Sequence, residues 1–115
     1  MKQGEVWLCA LDPAVGSEIR KTRPCLIVSP DTLNRRLQTV IVAPMTSKGR
    51  SAPFRVGTTF ADVAGLVLPD QIRALDRRRI YKRLGAIPNA HLGAVLTVLR
   101  EMFEATANSP SPDDR

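Results

Sequence analysis

Histidine is almost missing from this chain: His91 is the only one. A pancreatic-type nuclease mechanism that passes protons between two histidines is therefore excluded within a single chain. Cysteine is scarce too. Cys9 and Cys25 both sit inside apolar runs, and neither has a metal-ligand spacing around it. This excludes a zinc site and reads as two small buried thiols in a reducing compartment. Aromatic residues make up 4% of the chain, with Trp7 the single tryptophan. That is too few for a broad stacking platform under single-stranded nucleic acid. No apolar run is long enough to span a bilayer, and Met1-Lys2-Gln3-Gly4-Glu5 carries no apolar signal segment. The chain is expected in the cytoplasm, without membrane contact. No internal repeat and no interdomain linker is visible.

What remains is ordinary in quantity and unusual in charge. The 115 residues make one domain, of a size that buries roughly two-thirds of the surface its unfolded form exposes. Hydrophobic residues are 43% and charged residues 24%, as in soluble globular domains. The formal net charge is +6, from 17 basic and 11 acidic residues. A basic excess on a small domain favours a polyanionic partner through counterion release, although a merely solvated basic surface gives the same total. Position has to decide.

The pattern is of short strands followed by one helix. Val6–Leu11 reads as a first strand, ended by Asp12-Pro13. Ala14–Arg23 is a polar loop around Gly16. Cys25–Ser29 is almost wholly apolar, so it is expected to be covered on both faces. A helical turn follows at Pro30–Asn34, with Ser29 as a candidate cap. Thr39–Ala43 is a third strand, stopped by Pro44, and Phe54–Val56 a short fourth. An extended stretch runs from Gly65 toward Leu75, with Gln71 and Arg73 on its polar face. Leu84–Ile87 is a last short strand. Strands this short and closely spaced suggest a small barrel. Asn89 is a candidate cap for a helix in which Leu92, Val95, Leu96, Leu99, Met102 and Phe103 form one apolar stripe. Residues 106–115 are polar, carry Pro110 and Pro112, and read as a disordered tail after a domain over 1–105.

Chemistry concentrates at two strand ends. Arg23 precedes Pro24, which forces an extended backbone and aims the side chain from a rigid strand. Thr46 and Ser47 follow Pro44-Met45. An arginine fork and a hydroxyl at neighbouring strand ends are what is needed to grip a phosphodiester. Each alone reads more simply, Arg23 as a surface partner of Glu18 and Thr46 as a turn cap. Lys48 and Arg50 lie in the loop directly after Thr46, where a bound backbone would meet them. Arg77-Arg78-Arg79, with Lys82 and Arg83 behind, reads equally well as a solvated face. Glu18 and Asp70 are possible proton acceptors, Asp70 being better read as a salt-bridge partner. His91, at the start of the helix, reads as a surface residue.

Taken in order, the pieces resemble the MazF/PemK family of toxins from bacterial type II toxin–antitoxin modules. They are Gly4-Glu5-Val6-Trp7, Asp12-Pro13 with Gly16-Ser17-Glu18, and Arg23-Pro24 with the apolar run to Ser29-Pro30-Asp31. After these come Asn34, Ala43-Pro44-Met45-Thr46-Ser47, and Gly65-Leu66-Val67-Leu68 with Asp70–Asp76. The resemblance covers nearly the whole chain to Phe103. It implies a mainly β fold with short helices, an SH3-like small barrel of the plasmid-maintenance toxin type with a C-terminal amphipathic helix. It implies a homodimer with single-stranded RNA in a groove across the protomers, and a cognate antitoxin as protein partner, DNA being touched only through that antitoxin. It implies a metal-independent, cofactor-free, sequence-specific endoribonuclease leaving 2′,3′-cyclic phosphate and 5′-hydroxyl ends. Arg23 and Thr46 match the family's catalytic pair. Glu18 and Gln71 match residues at or near the RNA; Ser47, Lys48, Arg50 and Arg73 are assigned to the same surface. PemK-type relatives carry histidine where this chain has Ser17 and arginine where it has Leu68. A mechanism through those two and the aspartate matching Asp70 is therefore not carried over, and the general base is left open. Two other readings stand beside this one. Toxins of the same barrel that poison DNA gyrase need a C-terminal tryptophan, whereas Trp7 is near the start. A non-catalytic RNA-binding barrel would not need Arg23 and Thr46 together.

Overall fold

In the computed structural model, which describes residues 1–106, a turn at Gly4 leads into the first strand. Gly4 has φ of +92°, and a Cβ there would meet Leu92 Cδ2 at 3.0 Å, so both the backbone and the space favour glycine. The elements follow as β1 (Glu5–Ala10), β2 (Thr22–Ile27), α1 (Asp31–Asn34), β3 (Thr39–Thr46), β4 (Val56–Phe60) and β5 (Val63–Val67). A 3-10 turn at Pro69–Gln71, β6 (Arg73–Asp76), a second 3-10 turn at Arg77–Arg79, β7 (Ile80–Ala86) and α2 (Asn89–Met102) complete it. The strand pairings are all antiparallel. The strand order is β4-β5-β3-β2-β1-β7, with β6 also on β3. The two edges approach where Phe60 lies over Gly85: a Cβ on Gly85 would be 3.1 Å from the ring. The result is the expected mainly β fold, a half-barrel with short helices and one longer C-terminal helix.

β2 bears out the expectation of two covered faces. Leu26 joins one core cluster with Val6, Ala43, Met45, Val67 and Val95. Cys25 and Ile27 join the other with Cys9, Val40, Val42 and Leu75. This is the period-2 alternation of a strand with no wet side. Helix α2 closes the first cluster: Val95 is fully buried, and Leu92 and Leu99 pack beside it. The far end of its stripe is open, with Met102 41% and Phe103 72% exposed. Both cysteines are free and buried; the contact with Cys9 and burial push the Cys25 thiol well up.

Several boundaries differ from the sequence reading. Pro44 does not stop β3, which runs on to Thr46. Its carbonyl accepts from Leu68 N–H at 2.9 Å on the β5–β6 side. A strand residue's N–H and C=O face the same neighbour, so the missing donor falls where the Pro69–Gln71 turn already interrupts the ladder. That turn also breaks the expected long stretch from Gly65 into β5 and β6. Phe54–Val56 is mostly turn; the strand begins at Val56 and runs to Phe60. The last strand starts earlier than expected, at Ile80. Neither candidate cap acts as one. Pro30 and Pro88 occupy the N-cap positions, and Ser29 instead bonds Asn34 and Ile41 N–H. Most of the expected tail, 107–115, lies outside the described residues.

Glu5 ties β1 to β7. Its carboxylate accepts from Arg83 Nε at 2.7 Å, Lys2 N–H at 2.8 Å and Trp7 Nε1 at 3.1 Å. Burial opposes its charge, but these donors outweigh it and hold the pKa down at about 2. A depressed carboxylate stabilises the fold above its unfolded pKa, and that contribution is lost as pH falls from about 4 toward 2. Half of Arg83 is solvated, which reduces the effect. Glu5→Gln should therefore cost about 1–2 kcal/mol in urea unfolding at pH 7. The difference from the parent should shrink as pH approaches 2 and vanish below it. A difference independent of pH would show that packing, not charge, links the strands.

Candidate active site

The register between β2 and β3 places the two strand-end residues. Ile27 faces Val42, Leu26 faces Ala43 and Cys25 faces Pro44. Continuing by two residues sets Arg23 opposite Thr46, on the face that the second core cluster occupies further in. Directly opposed residues have Cβ atoms about 5 Å apart in a regular ladder. No ladder pair is formed beyond Cys25–Pro44, and Pro24, the next residue of β2, has no donor to give. The strand ends open there into a groove of about 410 Å³, lined by Arg23, Thr46 and Ser47. Phe60, Leu66 and Leu84 form its apolar wall.

Both polar groups are held with donors to spare. Arg23 Nε–H donates to Arg20 C=O at 2.8 Å, closing the loop onto the strand. Its Nη groups have no protein acceptor among the described residues. The expected pairing with Glu18 is not made; Glu18 accepts from Val15 N–H at 2.8 Å instead. Thr46 Oγ1 accepts from Lys48 N–H at 3.1 Å, the turn cap expected of it, and its own proton is left to donate. The groove lining contains no carboxylate and no imidazole. It can neutralise developing negative charge, but its lining offers no ordinary proton acceptor.

A second cavity of about 180 Å³ collects Glu18, Gln71 and Arg73. Gln71 Oε1 accepts from Ile19 N–H at 2.8 Å, and Arg73 Nη1 donates to Leu11 C=O at 3.0 Å. These two side chains clip the polar loop against the β5–β6 connection. Lys48 and Arg50 are exposed beyond Thr46 and line neither cavity. So the assigned residues divide into a groove set, a second-cavity set and two loop cations.

Three features escaped the sequence reading. Arg55 grips Asp70 through two contacts, Nε–Oδ1 at 3.3 Å and Nη2–Oδ2 at 3.1 Å, and donates to Arg50 C=O at 3.3 Å. It fixes the loop after Thr46 to the 3-10 turn, so Asp70 is a salt-bridge partner. His91 Nδ1 shares a 2.7 Å hydrogen bond with the buried Thr58 hydroxyl, which lines the groove from behind. His91 is thus half-buried and structural in its contacts. Finally, Gly65 allows β5 to touch Thr46: a Cβ there would fall 2.6 Å from the Thr46 carbonyl oxygen. Among His, Cys, Asp and Glu of the described residues, no group of three or more is placed to hold a metal.

A family model described as the PemK-like, MazF-like toxin of type II toxin–antitoxin systems matches residues 2–103. The chain belongs to this toxin family. Endoribonuclease PemK of Escherichia coli is 40% identical over 109 residues, covering 86% of this chain and 82% of that protein. The crystal structure of MazF from Deinococcus radiodurans superposes with a TM-score of 0.80 at 30% identity, over 89% of this chain and 94% of that one. A mycobacterial endoribonuclease solved with its cognate antitoxin gives 0.74 at 26% identity, over 88% and 92%. The barrel expected from the motif order is therefore the family's own.

The toxin's Thr46 carbonyl is backbone and cannot swing away, so a methyl at position 65 must push β5 from β3. Gly65→Ala should cost about 1–3 kcal/mol in denaturant unfolding. Gly57, on the paired strand, has nothing within 4 Å of its would-be Cβ. Gly57→Ala should be neutral or slightly stabilising. Equal effects of the two substitutions would refute a specific contact at Thr46.

Proposed function

We propose that this toxin is a metal-independent endoribonuclease that cuts single-stranded RNA in the cytoplasm and is restrained by a cognate antitoxin. The observation that carries the reading is the convergence of Arg23, Thr46 and Ser47 on one groove, with unengaged donors on Arg23 and Thr46. RNA supplies its own nucleophile. The 2′-oxygen loses its proton and attacks the adjacent phosphorus, and the P–O5′ bond breaks. The 5′-oxygen leaves and takes up a proton, giving a 2′,3′-cyclic phosphate and a 5′-hydroxyl. Charge builds on the non-bridging oxygens as the phosphorane forms. The Arg23 guanidinium and the Thr46 hydroxyl stabilise that charge, and their fixed positions avoid reorganisation during the reaction. The proton is accepted by a group outside the groove lining or by water.

Glu18, Gln71 and Arg73 in the second cavity hold flanking nucleotides, and Ser47, Lys48 and Arg50 the backbone leaving the groove. The toxin acts as a homodimer with RNA lying across both protomers. The exposed Met102 and Phe103 at the end of the apolar stripe support a partner surface of that kind. Relatives named endoribonucleases, one of them 40% identical, support the activity. A structure of one with its antitoxin supports the restraint. The single tryptophan, Trp7, lies in β1 and donates to Glu5 within that strand, which disfavours the alternative of a gyrase poison.

Arg23→Ala and Thr46→Ala should fold normally, and each should lose about 100- to 1,000-fold in cleavage rate. Near wild-type rates in either folded variant would remove that residue from the chemistry. Wild-type cleavage should persist in excess EDTA and yield cyclic phosphate ends. Magnesium dependence, or 3′-hydroxyl products, would point to metal-assisted hydrolysis instead.

A further inference from the structure

Five arginines gather at the end of β3 farthest from the groove. Arg35 and Arg36 follow α1, and Arg77–Arg79 form the 3-10 turn after β6. Pairing of Thr39 with Asp76 brings the two segments side by side. Arg77 then locks them: its N–H donates to Gln38 C=O and its Nε to Leu37 C=O, both at 3.0 Å. Beyond this clip, Arg35, Arg36 and Arg78 are exposed and Arg79 is half-buried. Arg78 is 85% exposed even though it pairs with Asp76. Arg35, Arg36 and Arg79 have no carboxylate partner among the described residues. The nearby carboxylates are Asp76 and Asp31, and Asp31 already accepts from Gln3 N–H at 2.8 Å.

We propose that this arginine platform is a second RNA-binding surface, which holds the phosphate backbone of long substrates outside the cleavage groove. The proposal rests on the ribonuclease reading. β3 runs from the platform at Thr39 to the groove at Thr46, roughly 23 Å at strand rise. A polymer with a charge on every nucleotide can reach both ends of that strand; a short oligonucleotide filling the groove cannot. Guanidinium forks on a rigid turn suit phosphate oxygens. A protein partner would need an apolar centre to anchor it, whereas the large apolar side chains exposed in these segments, Leu33, Leu37 and Tyr81, stand singly in the sequence and form no run. A second copy of the chain is disfavoured, because a two-fold contact would set these cations against each other.

The test uses full-length toxin carrying Arg35→Gln, Arg36→Gln, Arg78→Gln and Arg79→Gln, with the Arg77 clip intact. Cleavage is compared on an oligonucleotide just filling the groove and on a long transcript containing the same site. The expected result is an unchanged kcat and KM on the oligonucleotide. On the transcript, KM should rise about tenfold or more at low salt, and the salt dependence of binding should fall by about 0.7 in log–log slope for each phosphate no longer neutralised. Equal KM changes on both substrates, or none on either, would overturn the platform. Binding to a long 2′-O-methyl RNA, which cannot be cut, is measured in parallel. If wild-type toxin cuts neither substrate, the ribonuclease reading fails while this arm still decides the platform. If the variant binds RNA like the parent but loses affinity for polyglutamate, the surface belongs to an acidic protein and the proposal is wrong.

Discussion

Everything at the site hangs on the register of β2 against β3. These strands run through both core clusters, and their alternation leaves no freedom: a slip of one residue would exchange Leu26 and Ala43 for Cys25 and Val42. The cores thereby fix which residues face each other at the strand ends. Arg23 and Thr46 line one groove because Cys25 meets Pro44 two residues earlier. The positioning of a charge and a hydroxyl is thus a consequence of apolar packing several ångströms away. It needs no hydrogen bond between the two residues, and none is present among the described side chains.

Pro24 turns this register into an opening. A regular ladder continued past Cys25 would close the strand ends together. Pro24 removes a donor at the next step, and the ladder ends there. Gly65 does the opposite on the other side of β3. It lets β5 come within contact distance of the Thr46 carbonyl, so the threonine is held from one side while it faces open space on the other. Arg55, by gripping Asp70 and the Arg50 carbonyl, fixes the loop that follows. Strand geometry supplies precision and donor-free residues supply access.

This division explains what could be read from the sequence. The apolar run at Cys25–Val28 and the stripe from Leu92 to Leu99 are periodic over several residues, and the structure places them in the two cores as that periodicity requires. Arg23 and Thr46 stood out because each sits beside or near a proline at a strand end. The rest depended on non-local partners. Pro44 looked like a stop, since nothing in the sequence shows that its missing donor falls on an interrupted edge. The stretch from Gly65 to Leu75 looked continuous, because the turn at Pro69–Gln71 is set by where β3 changes neighbours. Arg55 could not be matched to Asp70 across the intervening strands, and Gly65 carried no signal of the carbonyl it meets. Order of motifs recovered the family where local propensity misplaced the boundaries.

Basic charge separates along the same strand. At the groove end, Arg23 keeps its Nη groups unengaged while Arg55 is neutralised by Asp70, so one fixed cation faces the apolar wall of Phe60, Leu66 and Leu84. At the other end, several arginines lie close together with few carboxylates. Repulsion among them destabilises the free protein modestly, since exposed charges are screened within about 8–10 Å at ordinary salt. The clip through Arg77 holds them together against it. On the proposed ribonuclease reading, a single cation in a partly apolar groove would act on one phosphate at a time, which suits a transition state. The proposed platform, a solvated cluster, would act on many phosphates weakly, which suits holding a chain. The net charge of +6 therefore says little by itself; its partition along β3 is what relates charge to function.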